Sequence, residues 1–424
     1  MLKTSTNGFA SDVIDGERLL HRLRELAHIG ATGDGGVTRL AYSDDDIRAR
    51  SLVAEWLAEA GVKSRVDPAG NLIAHVVGRG DSRGALATGS HLDTVVRGGR
   101  FDGAYGVVAS LEAMVHIVES KTPLWHDLVL VVFSNEEGAN GTPGMVGSQV
   151  LCGFPVDVDQ VDRAGVPLWK RIEDVGGDAT ALSEAVWAED SIAAFVEAHI
   201  EQGPVLETER ADIGVVTSIT GRSNLDIRIT GEQQHAGTTP MTDRCDALVI
   251  AARVIGEVST LAREGVVRVA TTGHITCSPN VWNVIPGLVN LTVDLRDEDD
   301  NRIAEATSRI HCLANELSTT TGASIDVRQG PQVPAVPMDH QLADCVSIAA
   351  DQLALPSLHM PSGAGHDAQL IARIAPTTMI FVPSIGGVSH TPQEDSHDHH
   401  LVAGANVLLR SLRLMDQRVG GGDS

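Results

Sequence analysis

The segment LVLVVFSNEEGANG, from Leu128 to Gly141, constrains the fold more than any other stretch of the chain. Its first six residues are apolar and include three valines, and the run then meets two adjacent carboxylates, Glu136 and Glu137. A short, unbroken run rich in β-branched residues predicts a strand covered on both faces. GALATGSHLDT makes a second such run and ends in His91-Leu92-Asp93. Strands of this kind belong to α/β folds, where ligands gather at the carboxyl ends of the strands. An acid pair at a strand end is either a solvated turn or a chemical site, and the rest of the chain has to decide between them.

A length of 424 residues exceeds one ordinary core, so two domains are expected. A formal charge of −24 argues against nucleic acid or an anionic membrane as partner. No apolar run is long enough to span a bilayer, and the N-terminal MLKTSTNGFASDVIDGERLL has no apolar signal-peptide region. The five cysteines are scattered without a C-x-x-C pair. They read as free thiols in a reducing compartment, which places the protein in the cytoplasm.

Helical spacing predicts helices over 16–29, 44–60, 105–120, 244–263, 302–317, 340–353 and 401–417. VDPAGNLIAHVVG reads as a hairpin around Ala69-Gly70, and TTMIFVPS as a further strand. The texture changes after Ala211, where SNLDIRITGEQQ, VVRVATTGHIT and GLVNLTVDLRD alternate apolar and polar residues. This half-buried βαββαβ order predicts a small α+β sandwich. The α/β texture returns at Pro331. Residues 1–211 and 331–424 are therefore expected to form one α/β domain, with 212–330 inserted into it. Residues 1–10 are expected to be a loose tail, and GGGDS at the other end is low in complexity.

The chemistry follows from the strand ends. Residues two apart on a strand share a face, so Asp93 is placed to orient the ring of His91 from behind. Asp102-Gly103 follows in GGRFDG. A carboxylate pair permits a division of labour, with Glu137 holding a metal and Glu136 moving protons. AHIEQG and GGVSHTPQED add one histidine each.

SHLDTV, GGRFDGAYGV, NEEGA, AHIEQGPVLE, QQHAGTTPM, PNVWNVIPG, DLR, SGAGHDA and GGVSHTPQE occur in that order. With these motifs, from about Leu19 to Leu412, the chain resembles the N-carbamoyl-L-amino-acid amidohydrolases. These group with allantoate amidohydrolases and β-ureidopropionases in the dimetal aminoacylase/carboxypeptidase-type superfamily. The resemblance implies a mixed-sheet, exopeptidase-like catalytic domain with an inserted lid and dimerisation domain, and a homodimer formed through that lid. It also implies two divalent ions per subunit, zinc or else manganese, cobalt or nickel. Asp102 would bridge them, His91 and His199 would hold one, and Glu137 and His390 the other. Glu136 would be the catalytic base. His235 would stabilise the oxyanion, typically from the other subunit. Asn283, Arg296, Gln202 and His366 would contact a small ureido or carbamoyl carboxylic acid. A histidine at 199, where peptidase relatives typically carry an acid, favours ureido substrates.

Each transferred residue has a plainer alternative. Asp294 and Asp297 are ready partners for Arg296, and His366 can hold its loop through Asp367. His235 can be a surface residue before a turn. Gly363 and Gly365 read as turn residues, since no phosphate-binding pattern surrounds them. SHDHH at 396–400 looks like a metal tract but sits where capping residues are expected before the last helix. Asn140-Gly141-Thr142-Pro143 departs from the Arg-Phe that commonly follows NEEGA in the family, and Tyr105 is a local variant. Both leave the substrate's side chain open. Allantoate is the alternative substrate, a dipeptidase or aminoacylase a weaker one, and a scaffold that has lost catalysis weaker still.

Overall fold

The structure is a computed structural model that describes residues 12–80 and 84–419. The expected N-terminal tail and the GGGDS segment lie outside the described residues. The chain forms two compact units, which change over between Thr217 and Ser218 and again between Pro337 and Met338. Both points fall later in the chain than the boundaries expected at 211/212 and 330/331. The strand Ile213–Ile219 accounts for the shift, because it pairs antiparallel with Thr377–Val382 and carries the large sheet up to the changeover.

The first unit is built on a mixed sheet. Its central strands lie in the order Leu72–Val76, Leu128–Phe133, Ala85–His91, Ile192–Ile200 and Thr377–Val382. The last four run parallel to one another. Leu72–Val76 is antiparallel to its neighbour and forms the expected hairpin with Ser64–Val66. Every residue of Ala85–His91 is buried, as its apolar sequence requires of a strand covered on both faces. The helix Ala104–Glu119 is apolar all round and buried almost throughout. It lies against the sheet on one side and the helices Gly16–His28 and Asp398–Val419 on the other. Asp15 and Ser43 cap Gly16–His28 and Asp44–Glu59, accepting from the amides of Arg18 and Asp46.

The second unit has the βαββαβ order. Its four-stranded antiparallel sheet runs Ser324–Gln329, Gly221–Thr230, Leu288–Asp297, Val269–Ser278. Gly221–Thr230 alternates strictly between buried and exposed residues. Leu225, Ile227, Ile229, Val289, Leu291 and Val293 form the inner face. The helices Ala247–Arg263 and Asp300–Thr321 pack on it. A small separate ladder pairs Gln234–His235 with Val284–Ile285. Among the described residues no helix is long and apolar enough to cross a membrane.

Candidate metal centre and active site

Four parallel strands end at one edge of the large sheet, and that edge collects the chemistry. His91 closes its strand opposite Phe133, and Glu136-Glu137 follow Phe133. His199 lies one residue from the end of Ile192–Ile200, opposite Phe381. The loop after Thr377–Val382 carries His390. Asp102 stands before the N-cap of Ala104–Glu119. That cap, Gly103, has φ +62°, and a Cβ there would come within 2.5–2.6 Å of the His91 ring. Glycine is therefore required for Asp102 and His91 to approach each other.

Asp102 has two faces. Its Oδ1 lies 3.2 Å from His199 Nε2 and 3.6 Å from His91 Nε2. Its Oδ2 lies 3.1 Å from His390 Nε2, and His390 Nε2 is 3.7 Å from Glu137 Oε1. Two ligand atoms bound tetrahedrally to one zinc-sized ion would be about 3.4 Å apart, given bonds of about 2.1 Å. The observed separations straddle that value on both faces. Glu137 Oε1 is buried and has no hydrogen-bond partner. A buried orphan carboxylate oxygen among imidazoles, with a second carboxylate between them, is a donor set that fits divalent cations. Glu136 Oε2 lies 3.8 Å from His91 Nε2, beside the same cluster.

The electrostatics carry the same signature. Burial, followed by the charge of Asp102, pushes Glu137 up to about 8. Burial and then Glu137 push Glu136 well above the usual carboxylate range. Burial takes His91 down to about 4. Burial also opposes protonation of His199, but its bond to Asp102 outweighs this and raises it to about 9. The hydrogen bond that His390 donates to Asp102 likewise raises it to about 9. Asp102 itself is held well below its ordinary value, because bonds to His199 and His390 outweigh its burial. Carboxylates crowded into low dielectric need positive charge to stay ionised, and cations supply it.

Asp93 plays a different part from the one expected. The His91 ring is hydrogen-bonded to the Asp93 backbone carbonyl, 2.9 Å from Nδ1, while the carboxylate stands farther off at 3.7 Å. The carboxylate accepts from the amides of Glu136 (3.2 Å) and Glu137 (3.1 Å). The strand turns out of the sheet after His91, which brings the carbonyl rather than the side chain onto the ring. Asp93 thus pins the acid pair. Arg39, wholly buried, anchors the same turn through the carbonyls of Leu92, Leu26 and Ile29.

Gln202 Nε2 donates to Asp102 Oδ2 at 2.9 Å, while its Oε1 is buried without a partner. His366 is buried with its ring 4.6 Å from that of His199, and its Nε2 lies 3.0 Å from Ser362 Oγ. Asp367 bonds to Ser148 and not to His366, so the loop is held by a different pair from the one weighed in the sequence. Asn135, Gln202 and His390 all have positive φ, at 54°, 59° and 57°. Such residues cost about 1–3 kcal/mol each and persist where their surroundings impose them.

The remaining expected residues lie in the second unit. His235 is exposed and pairs across its ladder with Val284, and its Nδ1 accepts from the amides of Gly237 (2.9 Å) and Thr238 (3.2 Å). Asn283 is exposed, and its carbonyl accepts from Ala236. Arg296 is bonded to Asp294, Nε to Oδ1 at 2.9 Å. Among the described residues the ligand-type groups that close up are His91/Asp102/His199, Asp102/Glu137/His390 and Glu197/His199/His366. The histidine tract contributes to none of them. His397 stacks on His399, His400 lies tilted against His399 and edge-on to His397, and His400 pairs with Asp212 at 3.2 Å. Glu197 was not singled out in the sequence. It is buried on the strand of His199, where it accepts from Ser90 Oγ and the amide of Ala368. Its place two residues before His199, on the same strand face, was the available signal.

Residues 87–414 match the model of peptidase family M20/M25/M40. The chain belongs to that family. Within it, the chain is 36% identical over 405 residues to the N-carbamoyl-L-amino-acid amidohydrolase of Paenarthrobacter aurescens, covering 95% of this chain and 98% of that one. It is 36% identical over 391 residues to the allantoate amidohydrolase of Bacillus subtilis, covering 91% and 94%. A solved amidase of the hydantoinase/carbamoylase family from Burkholderia multivorans superposes with a TM-score of 0.89 at 36% identity, covering 96% and 98%. The family is metal-dependent, in keeping with the ligand groups around Asp102.

Proposed function

We propose that this chain hydrolyses the carbamoyl C–N bond of N-carbamoyl-L-amino acids, giving the amino acid, carbon dioxide and ammonia. Its place in the family makes it a hydrolase of amide C–N bonds, and its relatives act on ureido acids. The observation that carries the reading is Asp102 set between two imidazole groups, with Glu136 and Glu137 beside it at the same sheet edge.

In this reading His91 and His199 hold one divalent ion, Glu137 and His390 hold a second, and Asp102 is shared. Zinc fits the donor set, as do manganese, cobalt and nickel. When bound, the ions polarise the carbamoyl carbonyl and make water more acidic. Glu136 accepts a proton from the attacking water and delivers it to the departing nitrogen. One water is consumed for each carbamoyl group, whose carbon leaves as carbon dioxide. Gln202, with its amide nitrogen committed to Asp102, turns an unpaired carbonyl oxygen toward a donor such as the carbamoyl NH₂. His235 is assigned to the oxyanion, and Asn283 and Arg296 to the substrate carboxylate, for which a guanidinium fork is suited. His366 is assigned to the substrate side of His199. Assembly as a homodimer through the inserted unit belongs to the same proposal.

Allantoate is the second reading, supported by the equal identity to the Bacillus subtilis relative. It also combines a ureido group with a carboxylate. Ammonia release from metal-loaded protein separates the two, on a panel of N-carbamoyl-L-amino acids, N-carbamoyl-β-alanine and allantoate. Turnover of carbamoyl amino acids is expected. Activity on allantoate alone would establish the second reading, and activity confined to added N-acyl or dipeptide controls, followed by amine release because they yield no ammonia, would overturn both.

A further inference from the structure

A carboxylate outside all three ligand groups ties the loop of Asp102 to the loop of His390. Glu394 is 3% exposed. Its Oε1 accepts from the amides of Phe101 (2.9 Å) and Asp102 (3.0 Å). Its Oε2 accepts from Ser389 Oγ at 2.7 Å. The same hydroxyl stands 3.3 Å from Asp102 Oδ2. Gly99 makes room for this arrangement, since a Cβ there would overlap the Glu394 carboxyl group. One buried side chain therefore grips the backbone of Asp102 and the residue preceding His390. His390 is half-exposed, and its side chain is tied to Asp102 Oδ2 through Nε2 at 3.1 Å.

We infer that Glu394 is a positioning residue for cation binding. It sets the spacing between Asp102 and His390, and with it the affinity of the Asp102/Glu137/His390 group for its ion. Hydrogen-bonding neighbours of metal ligands act in this way by fixing orientation before the ion arrives. The inference rests on the metal reading above. Glu394 neither touches substrate nor binds metal in it.

The test is calorimetric titration of the metal-stripped full chain with Mn²⁺ or Zn²⁺, with melting temperatures recorded before and after loading. Glu394→Ala is expected to weaken divalent-ion affinity by about 10–100-fold. Its metal-free melting temperature should fall, because the Phe101 and Asp102 amides and the Ser389 hydroxyl lose their acceptor, and the rise on loading should shrink as well. A role confined to folding would lower the metal-free melting temperature but leave the ion affinity and the rise on loading unchanged, and that result would overturn the inference. Glu394→Gln should recover part of the affinity, because its amide oxygen can still accept from Phe101 and Asp102. Gly99→Ala, which displaces the carboxylate from outside the cluster, should reproduce the loss. If Glu394→Ala does not fold, Ser389→Ala and Gly99→Ala decide, and wild-type affinity in both overturns the inference. Wild-type affinity in a folded Glu394→Ala overturns it directly. A wild-type chain that binds no divalent ion overturns the metal reading, and this inference with it.

Discussion

The two units of the chain handle polar chemistry in opposite ways. In the first, His91 and His199 are buried at the ends of parallel strands, Asp102 is buried beside them just before a helix, and Glu137 keeps an unpaired oxygen. In the second, His235 and Asn283 are exposed on a two-stranded ladder, and Arg296 is bonded to a neighbour on its own strand. The difference teaches where energy is stored. Burying like charges together costs several kcal/mol per ion unless positive charge enters. The first unit is thus built around a cation, whereas the second unit's groups are satisfied as they stand and lose little by waiting for a ligand.

That contrast orders the effects of substitution. Glu136→Gln should cut kcat by about 10²–10⁴-fold while divalent ions still bind, because it removes the proton carrier alone. Steady-state rates set beside metal analysis check this, and near-normal turnover would remove Glu136 from the chemistry. Arg296→Ala should act mainly on KM, raising it by about 10–100-fold, the size expected for one charge-assisted bond. It should leave metal content unchanged. An unaltered KM would mean that the bond to Asp294 is the whole role of Arg296. Cys277→Ser and Cys245→Ser, both in the second unit and remote in sequence from every proposed ligand, should leave kcat/KM within about twofold.

Much of this was legible in the sequence where periodicity was strong. Strand patterns placed Leu128–Phe133, Ala85–His91 and the alternating strands of the second unit, because burial on one face or on two writes itself into side-chain order. Ile192–Ile200 was not read as a strand. Its run of IAAFVEAHI carries Glu197 and His199 inside a buried element, where polar residues mask the pattern. The last helix starts at Asp398, three residues before the Leu401 that apolar spacing predicts, since Asp398-His399-His400 carries no apolar residue. Within the site, residue types at strand ends were visible, but the direction of each side chain was not. Asp93 shows this, because the choice between its carboxylate and its carbonyl depends on how the strand turns after His91. Glu394 was hidden for a related reason, since its partners Phe101 and Asp102 are nearly three hundred residues away in the chain.

The central claim is that Asp102 divides one buried cluster into two cation-binding halves. The most direct measurement is the number of divalent ions retained per chain after loading with Mn²⁺ or Zn²⁺ and dialysis, by elemental analysis, in wild type and in Asp102→Asn. The account predicts two ions per wild-type chain, and fewer than one when the shared carboxylate is replaced. One ion or none in the wild type, or two in Asp102→Asn, would contradict it.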